Sequence, residues 1–243
     1  MKHSSLSIWF LSLSCLYITA TRLSGQGSSG QSTFQNWDFE STTVQTPPPR
    51  QSSVVPFATA FPGWSGIVGG VPQSSALVNG FSLGGAFISL SGPKSLTPVI
   101  DGKYSALLIG TDSGPPMSAS ISQSGVVPAG TESIQMKVSS FINLTTPGFF
   151  SVTLGGSTIP MVPLSVSASY TLWGGNIGLF AGSMETLTIT APIPPTPNEN
   201  NVTLDDISFS TQFVPEPGTL ALWGLGGSLM AVLLRRRTKN EKL

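Results

Sequence analysis

Cysteine and histidine are nearly missing from these 243 residues: Cys15 and His3 stand alone, both within the first fifteen positions. The rest of the chain can build no disulfide, no thiolate or imidazole metal site and no histidine-activated nucleophile, which removes most hydrolase chemistry. Charge is also scarce, at 9% of residues. Between Gly27 and Val214, Arg50, Lys94, Lys103 and Lys137 face nine acids, leaving this body near −5. The formal neutrality of the whole chain hides that imbalance, because five basic residues follow Leu234. A body with so few cations has no basic face for phosphate backbones, which excludes nucleic acid as a partner. A carboxylate-only glycosidase would still need two acids about 5–9.5 Å apart. Asp101 and Asp112 fall on turn signals, and neither Glu132 nor Glu185 shows a sign of converging with them, so the expectation is a protein that is not an enzyme.

What is present is glycine, proline, serine and threonine, punctuating short β-prone runs without sustained helical periodicity. The body, residues 27–213, reads as one all-β domain, a single jelly-roll-like β-sandwich. Expected strands are Ala86–Leu90, Ser105–Ile109, Ser118–Gln123, Ser133–Ile142, Phe149–Leu154, Thr158–Val162, Thr186–Thr190 and Val202–Ser210. In Ser133–Ile142, Ile134, Met136 and Val138 alternate with Gln135, Lys137 and Ser139, the pattern of a strand with one wet face. Gly155-Gly156 suits a tight hairpin, since glycine adopts positive φ without a Cβ penalty. Thr46–Pro49 and Pro192–Asn201 read as irregular, proline-rich connections.

Both termini carry transport signals. Lys2 followed by the apolar stretch Leu6–Ala20 and a small-residue segment reads as a secretory signal peptide and leader, residues 1–26, addressed to the Sec export machinery. At the other end, Pro215-Glu216-Pro217 precedes an uncharged apolar run, Thr219–Leu234, and then Arg235-Arg236-Arg237. The prolines keep the segment around Glu216 extended and accessible. As a helix, the run of about 16 residues spans about 24 Å, short against a hydrocarbon core of about 30 Å. The arginines hold the C-terminus on the cytoplasmic side, so the body faces outward.

This tail, residues 214–243, closely resembles the PEP-CTERM sorting signal of Gram-negative bacteria. The resemblance implies recognition of Pro215, Glu216 and Pro217 by an exosortase, a membrane-embedded cysteine transpeptidase that removes such tails. An inner-membrane-anchored precursor would then become a cell-surface or extracellular-matrix protein.

A second resemblance lies at the ends of the body. Asn36-Trp37-Asp38-Phe39-Glu40, Phe61-Pro62-Gly63-Trp64 and Asn201 to Phe209 are similar to galactose-binding-like jelly-roll modules, common among carbohydrate-binding domains. The resemblance implies that the first and last strands lie close together, and that a structural Ca²⁺ is held by Glu40 and Asp206, with Asp38 or Asp205 as further ligands. The alternative is that these acids are solvated or cap a turn. The residues add their own sign: Val202 and Leu204 share one parity, Ile207 and Phe209 the other, so a β-bulge is expected at Asp205-Asp206. Extracellular polysaccharide is the expected partner, with Trp173, Trp64 and Tyr104 as the rings that could stack on sugar C–H faces.

Overall fold

The computed structural model describes residues 33–80, 84–140, 148–195 and 199–215. The expected signal peptide, Glu216, Pro217, the apolar run 219–234 and the arginine cluster 235–237 lie outside them.

The strands are β1 (Ser53–Pro56), β2 (Ser65–Val68), β3 (Val71–Pro72), β4 (Ser75–Val78), β5 (Phe87–Ser91), β6 (Ser105–Thr111), β7 (Ala119–Val126), β8 (Ser133–Ser139), β9 (Ser151–Leu154), β10 (Ser157–Ile159), β11 (Val162–Val166), β12 (Thr171–Asn176), β13 (Met184–Ala191) and β14 (Glu199–Ser210). A one-turn helix, α1 (Phe57–Ala60), follows β1. The strands form two sheets, ordered β1-β4-β5-β6-β14-β8-β12-β11 and β10-β9-β13-β7-β2-β3. From β6 onward the chain switches sheets repeatedly, and β14 returns to lie between β6 and β8. Among the described strands, β4–β5 is parallel and the other pairings are antiparallel.

The alternation in sequence dictates the core. Ile134, Met136 and Val138 of β8 are fully buried, as are Val202 and Leu204 of β14, and they meet Ile121, Val152, Leu187 and Ile189. Burying each such side chain contributes about 1.5–3 kcal/mol over leaving it in water. Gly155 (φ 57°) and Gly156 (φ 79°) close the two-residue β9–β10 hairpin in the left-handed region, as expected.

The bulge is also present. Asp205 pairs with Lys137 and Ser208 with Gln135, so three steps on β14 answer two on β8. Asp206 absorbs the extra residue at φ 49°. Inward-facing positions are even-numbered before it and odd-numbered after it, which is why Ile207 is buried although Val202 and Leu204 have the opposite parity.

Several expectations need correction. β14 begins at Glu199, inside the segment expected to be irregular. Thr158–Val162 is two strands, β10 and β11, broken at Pro160-Met161. Neither β1–β4 nor β12 was among the expected strands, and Pro56, Pro72 and Gly174-Gly175 lie within them. The prolines sit in strands of two to four residues, with β1 and β3 at the sheet edges. Gly174 and Gly175 are strand residues rather than flexible ones: a Cβ at Gly175 would lie 2.6 Å from Ile159 and 2.8 Å from the Pro160 carbonyl oxygen.

Candidate functional sites

The segment 34–41 runs beside the end of β14, where the Ile207 amide donates to the Trp37 carbonyl at 3.1 Å. The first and last parts of the body therefore do meet. Asn36 (φ 53°) and Phe39 (φ 56°) give this segment its sharp path. The Asn36 side chain donates to the Pro62 carbonyl and accepts from the Ser41 amide, and the Trp64 indole N–H donates to the Asn36 carbonyl at 3.0 Å. Trp64 is buried and packs on Phe39. It is a core plug, as its apolar Phe61-Pro62-Gly63 context favours over a sugar-facing role.

Around this junction the acids serve the loop 101–104. Glu40 Oε1 accepts from the amides of Lys103 (2.6 Å) and Tyr104 (2.9 Å). Asp205 Oδ2 accepts from the Asp101 amide (3.1 Å) and the Ser105 hydroxyl (2.7 Å), while its Oδ1 accepts from the Asp206 amide. The amides of this loop are thus taken up by two of the protein's own carboxylates, that of Asp101 by Asp205 and those of Lys103 and Tyr104 by Glu40. Gly102 is required there, because a Cβ would lie 2.4 Å from Glu40 Oε1 and φ is +59°. Burial pushes the Asp205 carboxyl up to about 7 against the pull of its three donors.

On the solvent side of the bulge, the Lys137 ammonium sits 2.5 Å from Asp101 Oδ2 and 2.6 Å from Asp206 Oδ2, and 5.1 Å from the Tyr170 ring centroid. The hydrogen bond from Lys137 holds Asp101 below the usual carboxylate range. Burial lowers Lys137, yet the two carboxylates outweigh it and raise the ammonium overall. Asp205 and Asp206 thus serve different partners, one inside and one outside, and Asp38 accepts from the Glu40 amide at 3.2 Å. Among the described residues no three acidic, histidine or cysteine side chains converge as a ligand set. Glu40, Asp206, Asp38 and Asp205 are therefore not gathered around one point as the resemblance implied, and an ammonium already stands between Asp101 and Asp206.

A separate groove of about 410 Å³ opens beside β9, β10 and β12. Phe149, Phe150, Met161 and Trp173 supply its apolar lining, and Ser151 and Thr158 its hydroxyl-bearing residues. Trp173 is held edge-on to Phe150 at 5.2 Å, and its indole N–H is buried without a hydrogen-bond partner. Phe149 is 65% exposed and forms the rim. Tyr104 lies elsewhere, its ring packed over Gly92. No lining residue is acidic, so Asp101, Asp112, Glu132 and Glu185 all lie outside the groove.

Three further sequence patterns bear on chemistry. Gly80-Phe81-Ser82-Leu83-Gly84 spells the Gly-x-Ser-x-Gly pattern of a serine nucleophile turn. Ser82 lies outside the described residues, and with His3 as the chain's single histidine the pattern has no imidazole base. The Asn201-Val202-Thr203 sequon lies within β14 with Asn201 buried, so the folded domain offers no acceptor amide there. Asn143 of the other sequon lies outside the described residues.

Where the body ends, its grip is tight. Val214 is buried and exchanges two hydrogen bonds of 2.8 Å with the Asn176 side-chain amide at the end of β12. Ser133 Oγ donates to the Gln212 carbonyl at 2.7 Å. Exposed Pro215 follows immediately. No curated protein matches this chain by sequence. The family model of the PEP-CTERM protein-sorting motif matches residues 213–237, so the chain carries that motif, and its start overlaps the last residues the body holds.

Proposed function

We propose that this is an exported bacterial surface or matrix protein, delivered as a membrane-anchored precursor and released from its tail by an exosortase acting at Pro215-Glu216-Pro217. The motif match at 213–237 carries the reading. The apolar run and arginine cluster supply the anchor and its orientation. Replacing Pro215, Glu216 and Pro217 with alanine should leave full-length protein in the inner membrane; normal tail removal from that variant would refute the assignment.

The body is read as a jelly roll that binds extracellular polysaccharide and performs no catalysis. Supporting the jelly roll, β6-β14-β8-β12 in one sheet faces β7-β13-β9-β10 in the other, the order produced when a long hairpin of strands is rolled over a core. Supporting the ligand class, the groove offers aromatic side chains and hydroxyl-bearing residues, a combination suited to the C–H faces and hydroxyls of a pyranose. A glycan array probed with residues 27–213, in calcium and again in EDTA, tests this. Binding abolished by Trp173→Ala would support the groove. Silence from a folded domain would favour a purely structural surface protein, and loss of binding in EDTA alone would give the acids a calcium-binding role.

A further inference from the structure

We infer that the end of the sandwich from which the sorting tail departs is a bilayer-contacting face, with Leu179 and Phe213 seated in the lipid headgroup region of the anchored precursor. The inference rests on the tail being membrane-embedded, as proposed above. Hydrogen bonds gather this end into one unit. Asn176 holds Val214, the Ile177 amide donates to the Glu132 carbonyl, and the Val127 amide and carbonyl are bonded to Ser183 and Gly182 across the turn. Leu179, at the tip of the Gly178–Phe180 turn, is 100% exposed, and Phe213 is 59% exposed directly before the buried Val214. An apolar side chain fully in water at a turn tip gives the fold nothing, whereas headgroup burial would recover its transfer free energy.

Chain length brings this end to the membrane. Four residues separate Val214 from Thr219, where the apolar run begins, so the leash of five residue-to-residue steps reaches no more than about 18 Å when fully extended. A run of about 24 Å must serve a core of about 30 Å, so either the bilayer thins locally or the start of the run is drawn inward. Each headgroup layer occupies about 5–7 Å of the leash. Because Val214 is clamped, the leash cannot be lengthened by paying out chain from the body. The turns at this end, residues 126–133 and 176–185, carry Glu132 and Glu185 and no lysine or arginine, so contact must come from apolar insertion and should not weaken with added salt.

The experiment uses the full chain with Cys15→Ser, reconstituted in phosphatidylcholine vesicles, with one new cysteine carrying an environment-sensitive fluorophore. Leu179→Cys and Phe213→Cys report on the proposed face. Ser113→Cys reports on the opposite end, about 36 Å away by the length of the twelve-residue β14. Blue-shifted emission and quenching by headgroup-level nitroxide lipid at 179 and 213, absent at 113, are expected. Equal, water-like emission at all three positions in chains that float with the vesicles would overturn the contact while leaving the anchor intact. Failure of the chains to float would overturn the anchor and, with it, this inference.

Discussion

The junction of Glu40, Asp205 and the 101–104 loop and the groove at Trp173 are built on opposite principles. At the junction, every carboxylate described accepts from a backbone amide, a hydroxyl or an ammonium of the same chain, so its chemistry is used up in holding the first segment to the last strand. In the groove, by contrast, the walls are mainly apolar and aromatic and no carboxylate lines them. Carboxylates that spend their lone pairs on the same chain are architecture, and an apolar, aromatic groove open to solvent is where a ligand can contribute.

The strongest challenge to that contrast is Asp205→Ala. It leaves two amides and the Ser105 hydroxyl without their acceptor, and should cost about 3 kcal/mol, lowering Tm by roughly 10 °C for a domain of this size. A change of a degree or two in calorimetry would show that the junction is not what holds the ends together.

The pH dependence should follow the same residue. Asp205 keeps its proton in the folded state up to about 7, whereas an unfolded aspartate loses it near 3.9. The native state binds the extra proton between those values, so stability should fall as pH rises from about 4 to 7 and level off above. Asp101, held below its ordinary value by Lys137, acts in the opposite sense and loses its contribution in stronger acid. Asp205→Asn should flatten the slope between pH 4 and 7; an unchanged slope would assign it to another group.

Gly102→Ala is a smaller perturbation, about 1–2 kcal/mol, since it combines a left-handed backbone with a Cβ pressed on Glu40. Trp173→Phe should be smaller still for the fold, within about 0.5 kcal/mol, because it removes a donor that has no protein partner. Loss of glycan binding without loss of stability would separate the two regions cleanly. Calcium should leave the Tm of the wild type unchanged while Lys137 neutralises Asp101 and Asp206. A clear rise would return those acids to a ligand role.

Period-two patterning made β8, β13 and most of β14 legible, because a strand with one wet face writes its own alternation. The bulge was legible from the parity switch around Asp205-Asp206 and the hairpin from Gly155-Gly156. What sequence concealed were strands whose residues answer to neighbours rather than to propensity. Gly174-Gly175 looks like a hinge until Leu164, Met161 and Val214 are seen to occupy the space beside it. The same limit applies to the acids: their presence was readable, but their orientation depends on which amides lie within reach, and only the fold supplies those. Trp173, Trp64 and Tyr104 were all legible as candidate rings, but which of them lines a groove depends on the β9 and β10 residues packed beside Trp173, which only the fold supplies.

The position of β14 in its sheet has a consequence for timing. It is the last strand of the described body to be synthesised, yet it lies between β6 and β8 and bonds to both. Until it arrives, those two strands present open edges, and the pairing that closes the sheet joins residues about a hundred positions apart in sequence, from Leu107 to Thr203. A ribosome or a translocation pore still holding the last strand therefore holds back the whole domain. For a chain proposed to cross a membrane before reaching its tail, that delay keeps the body unfolded until passage is nearly complete, and folding then begins on the outer side beside the sorting motif.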